Sequence, residues 1–362
     1  MLPVKRDCIL NFKENYFIME QMEESKDCLI VGQGIAGTLM AYRLIRAGYS
    51  LAVVDPGHAQ TSSRVAAGMY TPVSGKRMAL TPDVGSLLYE LYRLYPEMET
   101  FLDTEFLHRL PIYHAFATVK EQNDLMSRLD EPGFAHYVNA DPQQEPGVIE
   151  PFGAFEVKES GWVDLPCMLD AFRKHVEENH LLLEEELDYD QIKRETDGFS
   201  YHQMHFRQIV FCEGYLVRKN PFFKEMQIIP CKGDVLEIRS TEAPQKRIVK
   251  KGCYMVHIRD DEYRVGSTYE WGRDDEEPTP ASRELLESKL NELMEIKYDV
   301  FGHTCGIRPT TRTREPIIAV HPELKGMYAL NGLGAKGVMH GPLESLKLVQ
   351  RMMAEGHSTS RV

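Results

Sequence analysis

The stretch DCLIVGQGIAG, Asp27 to Gly37, limits what this chain can become more than any other. Cys28 to Val31 is an apolar run fit for a buried strand, and Ile35 to Ala47 reads as a helix. Between them Gly32, Gly34 and Gly37 keep the G-x-G-x-x-G spacing. Gly32 permits the tight turn out of the strand, Gly34 lets a phosphate approach bare backbone, and Gly37 lets the helix pack close to the sheet. The amides of Ile35 and Ala36, with the positive end of the helix dipole, then face a pyrophosphate. A second strand, Leu51 to Val54, ends in Asp55, about twenty residues on, where a ribose hydroxyl is gripped. The pattern reads as a dinucleotide site; a tight turn with chance glycines is the alternative.

The chain has 362 residues, enough for two domains or one large interleaved unit. A net charge of −13 argues against nonspecific nucleic-acid or membrane-surface binding. The seven cysteines are odd in number and scattered, with no C-x-x-C pair, which reads as buried thiols in a reducing cytoplasm. No metal-spaced cluster appears, and no apolar run is long enough to span a membrane. Residues 1–26 lack the features of a signal peptide. They are either an extra segment packed on the surface, or translation begins at Met19 or Met22.

Further along, the helix after the glycines offers Ala36, Met40, Leu44 and Ala47 at helical spacing and leaves Arg43 and Arg46 polar. PGHAQTSSRVAAGMYTPVSGKRM is rich in small and hydroxyl residues; it wraps a ligand or is an ordinary surface loop. In the first case Ser62 and Ser63 offer hydroxyls, and Ala66, Ala67 and Gly68 allow close approach. Residues 84–102 are helix-like, and 107–149 read as short strands and loops. Pro166 is placed for the first turn of a helix within 161–179. Phe206 to Cys212, closed by Glu213 and Gly214, resumes a parallel sheet. GDVLEIRS, CYMVHI and EYRVGSTYEW then alternate as hairpin-joined strands of an antiparallel sheet. Thr279-Pro280 opens a helix with Leu286, Leu290 and Leu293, and a last helix is expected from Pro342, with Leu343, Leu346, Val349 and Met353 inward.

Together GQGIAG with Asp55, SSRVAAGMYTP, GWVDLPCMLDAFR, IVFCEG, EYRVGST, GIRPTTRTREPII and NGLGAKGV resemble the FAD-dependent D-amino-acid oxidase family, in its glycine-oxidase and sarcosine-oxidase branch. The blocks stand in family order over nearly the whole chain. The resemblance implies an α/β fold with an α+β second domain: a Rossmann-like FAD-binding domain interleaved with an antiparallel-sheet substrate domain. Expected boundaries are 27–77, 156–221 and 303–362 for the FAD domain and 78–155 and 222–302 for the substrate domain, after an N-terminal extension, 1–26.

It also implies roles. Gly32, Gly34, Ile35, Ala36, Gly37 and Asp55 would hold the ADP end of the FAD. Ser62, Ser63, Ala67, Gly68, Met69, Cys212 and Gly214 would line it. Gly334, Lys336, Gly337, Val338 and Met339 would pass the flavin's pyrimidine edge, where amides and a helix N-terminus stabilise reduced-flavin charge. Arg308, of the R-P pair, would bind a substrate carboxylate through its fork of N–H donors. The neighbouring Thr310, Thr311, Arg312, Thr313 and Arg314 replace the acid the family often has there; the extra arginines mean a more acidic substrate or solvated charges. Tyr254 would face the substrate, and Arg264 falls near the position where some relatives have a lysine that promotes reaction with oxygen. Cys305 is out of register with the cysteine that attaches flavin covalently in some relatives, so FAD is expected to be non-covalent.

The implied activity is oxidation of a small amine or amino acid by hydride transfer from its α-carbon to flavin N5. The imine then hydrolyses, and O2 takes the electrons to give hydrogen peroxide. GLGAKG also resembles the oxidase domain of the bifunctional enzyme that modifies the tRNA wobble uridine, although the acidic total disfavours nucleic acid. The remaining alternatives are an amine dehydrogenase with a quinone or protein acceptor, and a flavin-binding structural protein. No residue pattern states the oligomeric state.

Overall fold

A computed structural model describes residues 24–57, 61–75 and 77–358; all but the last few residues of the expected N-terminal extension, and Cys8 within it, lie outside the described residues. Glu24–Val31 forms the central strand of an eight-stranded sheet and pairs in parallel with Leu51–Val54 on one side and Met204–Phe211 on the other. Leu182–Leu183 extends the sheet beyond Leu51–Val54, and Met327–Asn331 extends it, also in parallel, beyond Met204–Phe211. Strands buried on both faces need no alternation, and LAVV is buried at every position. Segments some 300 residues apart in the chain therefore share one sheet.

The helices Ile35–Arg46, Leu165–Glu178 and Gly337–Ser358 pack with Val84–Leu102 into one apolar core against this sheet, through Leu39, Leu91, Leu94, Met168, Leu348 and Met352. Arg43, expected to remain polar, is buried there. It pairs with buried Glu90 at 2.5 Å and donates to Ser345 Oγ and the Pro342 carbonyl. A charge this deep is tolerated because its donors are occupied.

Two expectations are corrected. The last helix starts at Gly337, not at Pro342. Pro342 sits inside it and has no N–H for the Val338 carbonyl four residues back; the buried Tyr95 hydroxyl donates to that carbonyl instead, at 2.9 Å. Ser345, Leu348, Val349 and Met352 are buried on it, so of the residues expected inward Val349 is buried, while Leu343 and Met353 are partly buried against the same core. Within 107–149, read as strands and loops, Val119–Met126 is a helix. Thr118 Oγ1 accepts from the Glu121 amide, and Glu121 reaches back to the Ala117 amide at 2.8 Å. TVKE has the T-x-x-E pattern of a capping box, with the return bond going to the residue before the cap, and the signal was present in the sequence.

The second large sheet has nine strands, with Ile229–Arg239 paired to Glu262–Gly266 on one side and to Asp299–Thr310 on the other, both antiparallel. Cys253–Arg259 and Ile248–Lys251 continue it. One pair departs from the expected antiparallel pattern: Ile248–Lys251 runs parallel to Ile112–Ala115. Pro280–Leu293, capped by Thr279, buries Leu286, Leu290 and Leu293 against one face of this sheet. The other face turns toward the parallel sheet, where Gly306 lies under Ser62 so closely that a Cβ would come within 2.9 Å of its Cα.

Candidate active site

The glycine loop is fixed by its lack of side chains. Gly32 has φ +92°, and a Cβ there would lie 2.7 Å from the Cys212 carbonyl oxygen. A Cβ on Gly37 would lie 1.7 Å from the Gly32 carbonyl oxygen, so helix and turn touch backbone to backbone. Ser63 Oγ accepts from the Ile35 amide at 3.1 Å. The amides of Gly34, Ala36 and Gly37 take no acceptor among the described residues. A helix N-terminus with free amides and a bare approach at Gly34 is a cradle suited to a pyrophosphate.

Asp55 lies at the end of its strand beside this loop. Oδ2 accepts from the Gln33 amide at 2.7 Å, and Oδ1 from the Gly57 amide at 2.8 Å and from Arg173 at 3.1 Å. Arg173, which the sequence reading did not select, comes from the helix of the GWVDLPCMLDAFR block. Gly68 (φ +69°) leaves no space for a Cβ, which would fall 1.9 Å from the Val163 carbonyl oxygen. Ala67 is buried and Met69 pairs with Trp162 in a small three-stranded sheet. Cys212 is a buried thiol pushed up by desolvation, next to the glycine turn. Gly214 (φ +56°) presents its carbonyl to Asn331 Nδ2 at 2.8 Å.

Far along the chain, Gly334 donates to the Pro309 carbonyl, and Lys336 and Met339 open the last helix. A Cβ on Gly337 would lie 3.3 Å from Ile35 Cγ2, so the segment 334–339 sits directly against the glycine-loop helix. Val338 and Met339 are buried. His340, one turn on from Lys336, is buried and pulled down to about 4 by desolvation and then by Lys336, so it is neutral at physiological pH.

Residues directly opposite in an antiparallel pair share a face. Arg308 is opposite Cys231, Gly306 opposite Gly233, Gly266 opposite Val235 and Tyr254, and Arg264 opposite Glu237 and Val256. Arg308, Tyr254 and Arg264 therefore share the face that meets Ser62. Two glycines let the long side chains lie flat: a Cβ on Gly233 would lie 2.0 Å from Arg308 Nη2, and one on Gly266 2.6 Å from the Tyr254 hydroxyl. Arg308 Nη2 donates to Ser267 Oγ at 2.7 Å, and Nη1 to the Thr268 carbonyl at 3.2 Å. The Tyr269 ring lies over its guanidinium, 4.5 Å from carbon to centroid. No carboxylate among the described residues is ion-paired with Arg308. Ser267, Thr268 and Tyr269 follow directly on Gly266 and were not singled out in the sequence.

Burial pushes the Tyr254 phenol up to about 12, against the pull of Arg308 and Arg264, so it is a neutral donor at physiological pH. Arg264 donates to the Ala66 carbonyl at 3.1 Å and stands 3.9 Å from Glu237. Cys305 is opposite Asp234, on the face away from Arg308. Burial, then the Asp234 charge, pushes its thiol up to about 11. Arg312 and Arg314 are exposed.

The chain and its fold have counterparts among known proteins. The glycine oxidase of Pseudomonas aeruginosa is 22% identical over 359 residues, covering 91% of this chain and 95% of that one. The tRNA 5-methylaminomethyl-2-thiouridine biosynthesis bifunctional protein MnmC of Leptospira interrogans is also 22% identical, and this chain spans only 58% of its length. Among solved structures, glycine oxidase from Bacillus cereus superposes with a TM-score of 0.78 at 19% identity, over 91% of this chain and 98% of that one. The family described as "DAO: FAD dependent oxidoreductase" matches residues 27–349. With a glycine cradle at one end of the chain and an arginine-bearing sheet face at the other, the protein is an FAD-dependent oxidoreductase of the DAO family.

Proposed function

We propose that this enzyme oxidises the carbon–nitrogen bond of a small amino acid or secondary amine bearing a carboxylate, with O2 as electron acceptor. One observation carries the reading: Arg308 is half-buried, laid over Gly233, and bonded only to neutral oxygens. A half-buried guanidinium with no carboxylate partner in the protein keeps its charge available to a bound anion. Bound FAD supplies the hydride acceptor. Arg308 fixes the substrate carboxylate, and the neutral Tyr254 phenol donates a hydrogen bond at the same end. Orientation of the α-carbon follows from these two fixed points, and no general base is required if the amine binds neutral.

In this reading Gly32, Gly34, Ile35, Ala36, Gly37 and Asp55 hold the ADP half of FAD, and Gly334 to Met339 the flavin end. The union is non-covalent, because Cys305 faces the far side of its strand. The helix Val84–Leu102 belongs with the FAD domain, whose core it shares, although the sequence assigned it to the substrate domain. The cysteines among the described residues are free and, Cys167 apart, buried, which supports a cytoplasmic location.

A tRNA-modifying role, which the Leptospira relative raises, is disfavoured by local charge. The segment beside Arg308 carries Glu270, Asp274, Asp275, Glu276 and Glu277; Arg218, Lys232 and Arg273 pair with Asp274 and Asp275, and the remaining acidic excess repels a polyanion. The test of the main reading is a screen of small amino acids and N-alkylated glycines for peroxide release. With the substrate so found, Arg308→Ala should raise KM about a hundredfold, the scale of losing a charge-assisted fork. An unchanged KM would reassign Arg308.

A further inference from the structure

The segment from Ser267 to Glu277 closes over Arg308 from the outside. Ser267 and Thr268 take up donors of the guanidinium, and Tyr269 covers one of its faces. The segment is tied down at its far end. Lys232, whose side chain is fully buried, reaches Asp275 and the Glu277 carbonyl; Arg218 pairs with Asp274 at 2.9 Å, and the Tyr215 hydroxyl donates to Glu276 at 2.8 Å. Tyr269 is nevertheless 57% exposed. An aromatic ring with one side on a half-buried cation and the rest in solvent is placed at the mouth of the arginine's site, not in its core.

We propose that Tyr269 is a specificity-determining residue that closes the site around small carboxylates. The inference rests on the assignment of Arg308 to carboxylate binding. With one face of the guanidinium under the ring, Nη1 directed at the Thr268 and Lys232 carbonyls and one Nη2 hydrogen given to Ser267, a carboxylate reaches Arg308 through Nε–H and the other Nη2 hydrogen. Any bulky group on the carbon bearing that carboxylate then meets the Tyr269 ring. The ring also excludes water from one side of the cation, which strengthens the ionic contact made at the edge.

The experiment titrates the FAD-loaded enzyme with acetate and with benzoate, following the flavin absorbance for each. Wild type should bind acetate more tightly than benzoate. Tyr269→Ala should weaken acetate about five- to tenfold, the scale of one lost cation–π contact, while benzoate binding is unchanged or tightens, so that the preference narrows or inverts. Tyr269→Phe keeps the ring and should behave as wild type. If Tyr269→Ala leaves the acetate-to-benzoate ratio unchanged while Arg308→Ala abolishes both, Tyr269 has no role in selection and the assignment of Arg308 stands. If Arg308→Ala changes neither, the assignment of Arg308 falls, and the proposal with it.

Discussion

At Gly37 the helix and the turn that feeds it are in backbone contact, and no other residue fits. Positions of this kind are read directly from sequence, because the absence of a side chain is itself the signal. Charged residues are harder. Arg43 looked like solvated charge on a helix face and is instead the buried partner of Glu90. Nothing local distinguishes the two cases; the partner lies on another helix. Glu213 is a further example. It follows Cys212, was read as the polar end of a strand, and is pushed up to about 7 by desolvation, against hydrogen bonds from Asn220 and Tyr189. The folded protein keeps this proton up to about pH 7, whereas an ordinary glutamate releases it near 4.5. Folding therefore takes up a proton between those values, and the contribution of Glu213 to stability falls as pH rises through that window. Glu213→Gln should remove this slope, on the order of 1 kcal/mol per pH unit. Thermal melts of both proteins from pH 4.5 to 8 should show the variant gaining relative to wild type up to about pH 7 and level beyond. A constant offset would show that the carboxyl titrates normally.

Elements with their own start and stop signals were legible one by one. Val84–Leu102 has the bounds the leucine spacing gave it, and Thr279-Pro280 opens a helix as expected. Val119–Met126 was missed although its capping box was in view, because low apolar content hid the helical period. The last helix was begun too late for a different reason. Proline ordinarily marks a first turn, and Pro342 is accommodated inside the helix only because Tyr95, from a distant helix, satisfies the Val338 carbonyl. Tyr95→Phe should therefore leave a buried carbonyl unpaired and cost about 1–3 kcal/mol in urea unfolding, with FAD content unchanged. A loss below about 0.5 kcal/mol would mean that the carbonyl finds another donor.

At the scale of the whole molecule, the parallel sheet collects strands from the start, middle and end of the chain, and the strand Asp299–Thr310 runs from the second sheet to the short helix Ser62–Val65 and the loop that carries Gly334. Among the described residues no helix is long and apolar enough to cross a membrane. The net charge of −13 and the acidic segment beside Arg308 predict that purified protein gives no shift of tRNA in a gel at moderate salt. A salt-sensitive shift at micromolar protein would favour the wobble-uridine reading instead. The sequence by itself determined the glycine turn, the two kinds of sheet and the R-P arginine, because each rests on residues within a few positions of one another. Only the tertiary structure brought Ser267, Thr268 and Tyr269 around Arg308, and Arg173 against Asp55. Those contacts depend on strand register and helix packing between segments far apart in the chain, and no local pattern encodes them.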